Sequence, residues 1–267
     1  MQRRKFLTAS LAASALTLAK NVPAQTATAP TPSPSKPREY YLLRRYHLSS
    51  GPQGKLTENY FSGALIPALT RLGAGPVGAF RLDVGPETPT YYLLVPSTSL
   101  ETLTTLDLQL ADDAAFTTAA APFWGAPAIA PAFQRVDGSL LSAFPGWPKL
   151  TPPDAKAKRI FQLRTYESPS NAAHVRKVEM FHSGEFDSFT KAGAHGVFYA
   201  DTLVGDRTPS LTYMLSFPDM NALNTAWDLF RNDPAWKKIS GSPRYNYEAI
   251  VGNVSNLMLS PLSCSQV

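Results

Sequence analysis

Cysteine is nearly absent from this chain of 267 residues, whose single thiol is Cys264. One cysteine cannot form an internal disulfide, so the framework of bridges that holds many small exported proteins together is excluded. Long apolar runs are also missing, and no stretch approaches the roughly 20 apolar residues that a membrane-spanning helix requires. A hydrophobic core must therefore hold the fold, and 44% hydrophobic residues with four tryptophans can supply one.

The first 24 residues resemble a bacterial twin-arginine (Tat) signal peptide. Arg3 and Arg4 precede a mildly apolar, uncharged stretch at residues 6–19, which Lys20 and the small-residue sequence 22–24 follow. A charge beside the cleavage site hinders the Sec route but is common in Tat leaders. We therefore expect export through Tat to the periplasm or beyond the cell, with residues 1–24 removed and no membrane span left in the mature chain.

Most of the excess positive charge lies in this leader. The whole chain carries a formal net charge of +5, and residues 1–24 hold four of its Lys and Arg side chains and no carboxylate, so the mature chain would carry +1. No basic stripe interleaved with aromatic residues occurs. The sequence therefore predicts no binding of nucleic acid.

The sequence repeats itself at an offset of 120 residues. Residues 40–46, YYLLRRY, align with residues 160–166, IFQLRTY, and the same offset pairs Phe61 with Phe181. Two copies are too few for a solenoid, so the pattern predicts a tandem duplication of one domain. The expected segments are a signal peptide at 1–24, a proline-rich disordered linker at 25–37, copy 1 at 38–145, a linker at 146–158 and copy 2 at 159–262.

Within copy 2 the apolar residues alternate between the periods of a strand and of a helix. Residues 159–166 alternate at period two, with Phe161 and Leu163 on one face and Gln162, Arg164 and Tyr166 on the other. The remaining expected elements are a helix at 172–191 capped by Asn171, strands at 197–204 and 211–217, a helix at 219–231, a short helix opening at 233–234 and a last strand within 247–259. The order βαββαβ is that of a ferredoxin-like unit.

Motifs for catalysis or metal binding are scarce. Residues 73–78 spell G-x-G-x-x-G, but they follow a predicted helix and precede a strand, the reverse of a dinucleotide site. Glu179, His182 and Glu185 share one helix face without a recognisable fourth ligand. We therefore expect no cofactor and no metal, and keep His195, at the opening of a strand, as a weak candidate for a catalytic base.

Several of these features together resemble the NIPSNAP family, whose members have dimeric α/β-barrel folds. They are the strand RIFQLRTY, the helix that ends before Gly193, the strand that follows it and the DPAW segment at 233–236. The resemblance covers nearly all of both copies and implies tandem NIPSNAP domains, with no established catalytic residues to carry over. Copy 1 departs from the pattern, since Phe116 stands where copy 2 has Trp236. Its final strand is expected to be broken by Pro127, Pro131 and Gly138.

A four-stranded sheet with helices on one face must bury its other face. We therefore predict an α+β protein in which two tandem ferredoxin-like domains pack sheet to sheet as an intramolecular dimeric α/β barrel. If the helices cover Phe161 and Leu163, the opposite faces point into the space between the sheets and form a ligand site. The expected ligand-binding residues are Arg44, Tyr46, Arg164, Tyr166 and Tyr213.

Two classes of function remain open. Buried arginines need acceptors, so Arg44 and Arg164 either pair with internal carboxylates or face an anionic ligand. The leading interpretation is an exported, non-catalytic module that binds a small aromatic or anionic molecule, or another protein. The alternative, implied by fold analogy alone, is a cofactor-independent monooxygenase or isomerase that uses His195 beside Tyr199 or Tyr213 in the barrel cavity. A homodimer of two such chains is left open.

Overall fold

The computed structural model describes residues 37–267. The expected signal peptide, and all of the expected linker at 25–37 except Pro37, lie outside these residues. Within the described part of the chain, no helix is long and apolar enough to cross a membrane.

Eight antiparallel strands form a closed barrel in the order β1-β3-β2-β8-β5-β7-β6-β4. Alternating residues with β-branched and aromatic side chains favour these strands, because such side chains pack well on a pleated surface. The strands are β1 (Tyr40–His47), β2 (Gly78–Val84), β3 (Thr90–Ser97), β4 (Arg135–Ala143), β5 (Ile160–Glu167), β6 (His195–Val204), β7 (Ser210–Phe217) and β8 (Asn253–Pro261).

The repeat is visible in the barrel. Copy 1 supplies four neighbouring strands, β4-β1-β3-β2, and copy 2 supplies β8-β5-β7-β6. The strand register repeats with the same offset of 120 residues, since Arg44 pairs with Leu93 and Arg164 pairs with Tyr213. The halves hydrogen-bond edge to edge, β2 to β8 and β4 to β6, so the two sheets enclose one interior and every described strand of the barrel has two partners.

The interior of the barrel is apolar and receives side chains from all eight strands. Its large, fully buried members include Tyr41, Phe80, Phe161 and Phe198, and Leu163 lies among them. Tyr166 and Tyr213 instead pack in a cluster with the helices of copy 2. The expected assignment of faces is therefore wrong, because Phe161 and Leu163 face the barrel interior while Arg164 and Tyr166 face the helices.

The helices cover the outside of the barrel. Copy 1 has α1 (Pro52–Tyr60), α2 (Ile66–Arg71), α3 (Leu100–Thr104), α4 (Leu106–Ala111) and α5 (Ala114–Trp124). Copy 2 has α6 (Asn171–Met180), α7 (Phe186–Lys191), α8 (Met220–Asn232), α9 (Pro234–Ser240) and α10 (Tyr247–Ile250). The cap of α6 is Ser170 rather than the expected Asn171, since the Ser170 hydroxyl accepts from the Ala173 amide.

A π-helical turn interrupts the first long helix of each copy at equivalent places. Residues 61–65 join α1 to α2, and residues 181–185 join α6 to α7. In copy 2, Gly184 has φ of +127°, a conformation that side chains other than glycine rarely adopt. This turn positions Glu185, which immediately follows Gly184 and is buried.

Two expected boundaries are corrected. The final strand of copy 1, β4, is unbroken, because Gly138 pairs with Arg44 inside it. The last strand of copy 2 begins at Asn253, since the start of the apolar run forms α10. Between β4 and β5, Phe144 and Leu150 are buried, and the Leu150 amide donates to Glu39 at 2.6 Å.

Candidate functional site

The helices of copy 2 enclose a cavity of about 710 Å³ against the outer face of β5 and β8. Its walls carry several aromatic rings and few aliphatic side chains, with charged groups on the floor. The residues that line it include Gln162, Arg164, Tyr166, Lys177, Glu185, Asn224, Trp227, Asp228, Phe230, Arg231, Trp236, Tyr247 and Asn256. A space of this size that combines aromatic rings with convergent polar groups is typical of a small-molecule site.

Arg164 brings an uncompensated charge into this cavity. Its Nη2 donates to the Tyr166 hydroxyl at 2.8 Å, and its guanidinium carbon lies 4.7 Å from the centre of the Trp227 ring. Among residues 37–267, no carboxylate lies within ion-pair distance of Arg164, and its buried Nε has no hydrogen-bond acceptor. A guanidinium has five N–H donors, so most of those of Arg164 remain free for another acceptor.

The surroundings keep Arg164 charged. Burial lowers its pKa, the phenolic groups of Tyr213 and Tyr166 raise it, and the net direction is upward. Tyr213 is fully buried beneath the cavity, and burial raises its pKa well above the ordinary value. The Tyr213 hydroxyl donates to the Tyr166 hydroxyl at 3.4 Å. Tyr213 therefore stays neutral beside a permanent cation.

Lys177 and Glu185 form a buried ion pair in the same cavity. The Lys177 Nζ lies 2.9 Å and 3.2 Å from the two carboxylate oxygens of Glu185, and both side chains are almost fully buried. Burial raises the pKa of Glu185, while the charges of Lys177 and Arg164 lower it in part. This buried pair and the half-buried Arg164 sum to +1, so the floor of the cavity attracts a single negative charge.

Hydrogen bonds among Trp227, Gln162 and Asn256 hold the other polar side chains of the cavity wall in place. Trp227 Nε1 donates to Gln162 Oε1 at 2.8 Å, and Gln162 Nε2 donates to Asn256 Oδ1 at 2.9 Å. The indole is thereby held against the guanidinium of Arg164. The Asn256 amide nitrogen stays available as a donor at the edge of the cavity.

Copy 1 has an equivalent but smaller cavity of about 470 Å³, lined by Arg44, Tyr46 and Tyr60 among others. Here Arg44 donates twice to the carboxylate of Asp107, at 2.9 Å for each bond. Asp107 occupies the repeat position of Trp227, 120 residues earlier. The protein's own carboxylate thus satisfies the arginine of copy 1, and the corresponding place in copy 2 holds an indole.

The buried ion pair is also confined to copy 2. The repeat positions of Lys177 and Glu185 are Thr57 and Leu65, both fully buried. The Thr57 hydroxyl donates to the carbonyl of Gln53 at 2.9 Å. The cavity of copy 1 therefore has neither an uncompensated cation nor a buried carboxylate on its floor.

The expected ligand-binding residues do not meet in one place. Arg164 and Tyr166 line the cavity of copy 2 and Tyr213 lies beneath it, whereas Arg44 and Tyr46 line the cavity of copy 1. His195 is exposed, its Nε2 contacts the carbonyl oxygen of Thr151 at 2.9 Å, and it lines neither of these cavities.

Sequence reasoning missed Lys177, Trp227 and Glu185 as cavity residues. The signal that could have found them was present in the repeat, because each differs in chemistry from its partner at the offset of 120. Glu185 was noted only as one of three spaced metal-ligand types. In the structure those three have separate partners: Glu179 binds Arg244, His182 contacts the carbonyl of Val178, and Glu185 binds Lys177.

Comparison with solved structures shows the fold. A candidate monooxygenase from Lactobacillus acidophilus aligns with a TM-score of 0.56 and 9% identity, over 84% of this chain and 94% of that one. A candidate monooxygenase from Fusobacterium nucleatum aligns with a TM-score of 0.53 and 8% identity, over 84% of this chain and 93% of that one. The comparison with curated proteins finds no match.

The family comparison concerns copy 2. An uncharacterised NIPSNAP-like domain protein from Burkholderia xenovorans aligns at 17% identity over 40% of this chain and 87% of that one, with a TM-score of 0.35. The family model described as NIPSNAP matches residues 161–266, which span β5 to β8 and the whole cavity of copy 2. The second copy of the repeat is therefore the part of this chain that matches the NIPSNAP family model.

Proposed function

We propose that this protein binds a small aromatic monoanion in the cavity of copy 2 and does not transform it. The observation that carries the proposal is Arg164, a half-buried cation without a carboxylate partner among the described residues, set between the rings of Trp227 and Tyr166. A carboxylate of the ligand would take the place that Asp107 takes beside Arg44. The ligand's ring would lie among the aromatic side chains of the wall.

A binding role is favoured over the monooxygenase or isomerase alternative by the groups that the cavity offers. A catalytic base must lie within hydrogen-bond reach of the proton it abstracts. His195 lies outside the cavity, and Glu185 is engaged by Lys177 through both of its oxygens. The two structural neighbours share the fold with this chain, and fold alone does not carry an activity.

We also propose that each half is a ferredoxin-like unit and that the barrel is an intramolecular counterpart of a dimeric α/β barrel. Such an architecture suits a binding role. We further propose that the protein works in the periplasm after export through Tat. The support for export is the arginine pair Arg3-Arg4 before the weakly apolar stretch 6–19.

The binding proposal is tested by titrating the purified protein with 4-hydroxybenzoate, followed by calorimetry and by the fluorescence of Trp227 and Trp236. The neutral amide 4-hydroxybenzamide and the non-aromatic cyclohexanecarboxylate serve as matched ligands. We expect Arg164→Met to weaken binding of the benzoate by about 10- to 100-fold, the value of one hydrogen-bonded charge. Arg44→Met, the equivalent change in copy 1, should leave the affinity unchanged.

Equal losses in the two variants, or an amide that binds as tightly as the acid, would contradict the assignment. Chromatography of the ligand after prolonged incubation with protein in air tests the absence of chemistry. We expect the benzoate to be recovered intact, and a protein-dependent product would favour the enzyme alternative. Native mass spectrometry of protein isolated from the periplasm would then identify the natural ligand.

A further inference from the structure

A third cavity, different from the two that the helices cover, opens inside the end of the barrel where β1 and β5 terminate. Its volume is about 610 Å³. An eight-stranded barrel has an interior just wide enough either to be filled by side chains or to hold one small ligand. Here the middle of the barrel is filled by buried aromatic rings such as Tyr41, Phe80, Phe161 and Phe198, but the terminal layer of side chains leaves this space.

The floor and the walls of this lumen cavity differ in chemistry. The floor is apolar and consists of Leu43, Tyr92, Leu163 and Leu257, which belong to or pack against the interior cluster. The walls carry six hydroxyl groups, from Ser139, Thr165, Thr202, Ser210, Thr212 and Ser255. Small hydroxyl side chains at interior positions of a barrel bury polar atoms without filling space, which is the arrangement expected where a polar guest takes up the room.

The hydroxyls are pre-oriented and still have capacity to bond. Thr165 and Thr212 share a hydrogen bond of 2.9 Å, and Ser210 donates to Thr202 at 2.8 Å. One hydroxyl offers one donor and two acceptor positions, so each pair, both of whose members line the cavity, keeps unused positions. Two neighbouring pairs on adjacent strands therefore present a row of fixed donors and acceptors.

The charged groups at the mouth compensate one another. Arg45 lies 2.7 Å from Asp137 and 3.6 Å from Asp206, and Arg207 lies 3.9 Å from Asp206 and donates to Ser255. The two guanidinium and two carboxylate groups sum to zero charge. The mouth consequently favours neither an anion nor a cation, but offers carboxylate acceptors and guanidinium donors side by side.

We infer that the lumen cavity is a second binding site, specific for a neutral, hydroxyl-rich molecule with one apolar face, the chemistry of a mono- or disaccharide. The hydroxyls of a sugar donate to Asp137 and Asp206 and accept from Arg45 and Arg207. The C–H face of its ring rests on the apolar floor. Asn256 lines both this cavity and the anion site that we propose for copy 2, but Arg164 lines only the latter, so the two sites differ in charge.

The test is a calorimetric and saturation-transfer NMR titration of the intact protein with glucose and maltose, and with glucuronate and glucosamine as charged counterparts. We expect saturable binding of a neutral sugar, with the charged analogues at least tenfold weaker. Ser139→Phe, which places a ring in the lumen, should weaken binding at least tenfold. Arg164→Met should leave sugar binding unchanged while it weakens binding of 4-hydroxybenzoate.

A second variant guards against misfolding of the first. Thr165→Val combined with Thr212→Val removes both members of one hydrogen bond, so it strands no partner and should keep the fold, which circular dichroism checks. We expect it to weaken sugar binding several-fold. The inference is overturned if no neutral sugar binds up to its solubility limit, if a charged analogue binds more tightly, or if the folded variants bind as the wild type does.

Discussion

At the scale of single residues, one repeat position separates the two helix-covered cavities. Asp107 and Trp227 are equivalent, and each lies against an arginine, Arg44 or Arg164, at the same place on the sheet. The carboxylate of Asp107 neutralises its arginine, whereas the indole of Trp227 leaves the charge and most of the N–H donors of Arg164 unused. A change of one side chain thus converts an internal ion pair into a candidate anion site.

Replacing either arginine should have little effect on stability. Asp107 is 61% exposed, so in Arg44→Met water solvates the carboxylate that is left behind. In Arg164→Met no paired carboxylate is stranded, and exchange of a buried ion for an apolar side chain is often neutral. We expect both variants to stay within about 1 kcal/mol of the wild-type free energy of unfolding in urea. A loss of about 3 to 5 kcal/mol at Arg164 would instead indicate a structural role.

Breaking the Lys177–Glu185 pair should be costly. Lys177→Met leaves the buried Glu185 without its partner, and we expect a loss of about 3 to 5 kcal/mol at neutral pH, measured by urea denaturation. The control combines Lys177→Met with Glu185→Leu, the residue found at the repeat position Leu65. This double variant removes both charges and should recover most of the loss. If the double variant does not recover stability, the loss in Lys177→Met comes from altered packing and not from the unpaired charge.

The loss in Lys177→Met should also depend on pH. Burial already raises the pKa of Glu185, and removing Lys177 takes away the larger of the two charges that lower it. A carboxyl group whose pKa is higher in the folded than in the unfolded state stabilises the fold below its unfolded pKa, and this stabilisation is lost as the pH rises through its folded pKa. The deficit relative to wild type should therefore be smallest near about pH 4 and grow toward about pH 8.

At the scale of elements, the interrupted helices are the least regular part of the fold. Periodicity predicted one helix at 172–191, and the structure has α6, a π-helical turn and α7 over almost the same range. The turn inserts an extra residue into the helix, and such turns often lie at functional sites. In copy 2 it carries Glu185 toward Lys177, so the irregular turn and the buried ion pair occur together.

Gly184→Ala should destabilise the protein, because φ of +127° is strained for alanine and the added Cβ would lie 3.0 Å from Ile239 Cδ1. We expect a loss of about 1 to 3 kcal/mol in thermal or urea denaturation. Gly63→Ala, in the corresponding turn of copy 1, meets no atom within 4 Å and should be neutral or stabilising by up to about 1 kcal/mol. If the two substitutions change stability by similar amounts, the strained backbone of Gly184 does not distinguish the two turns.

Strand β5 shows which features of the fold could be predicted from the sequence and which could not. The alternation of its residues predicted a strand with two unlike faces, and the repeat predicted an equivalent strand, β1, 120 residues earlier. Both strands are confirmed. Alternation does not say which face meets the helices, because both faces of this sheet are buried. The closed barrel buries the more apolar face of each strand in its interior. Phe161 and Leu163 therefore lie inside the barrel and not, as had been expected, against the helices. Pairing of Arg44 with Asp107 depends on helix packing that no periodicity encodes.

At the scale of the whole molecule, closure of the barrel couples the two copies. Each half contributes two edge strands that pair on one side within their own half and on the other side with the other half, through β2–β8 and β4–β6. A separated half would expose two strand edges and half of the aromatic interior. The family model covers only copy 2, but the fold is completed by copy 1.

We therefore expect one cooperative unfolding transition for the whole described chain. Tryptophan fluorescence samples mainly copy 2 and its border, through Trp147, Trp227 and Trp236, whereas far-ultraviolet circular dichroism reports on both copies. The two midpoints in urea should coincide. Two separate transitions would show that the copies unfold as independent domains.

Export is tested on the complete chain. Replacing Arg3 and Arg4 by lysine should block translocation and leave the folded part unchanged, because the Tat route reads the arginine pair. Fractionation of cells followed by immunodetection measures the periplasmic share of the protein. Normal appearance of the double variant in the periplasm would rule out the Tat route.

The closed barrel built from one chain has a consequence for how its sites can diverge. When two identical chains form such a barrel, every substitution appears twice, and both cavities must accept it. Here Trp227, Lys177 and Glu185 could change without any change at Asp107, Thr57 and Leu65. Covalent fusion thus removes the symmetry constraint of a homodimer: the binding chemistry of one cavity can change while the other cavity keeps its ion pair between Arg44 and Asp107.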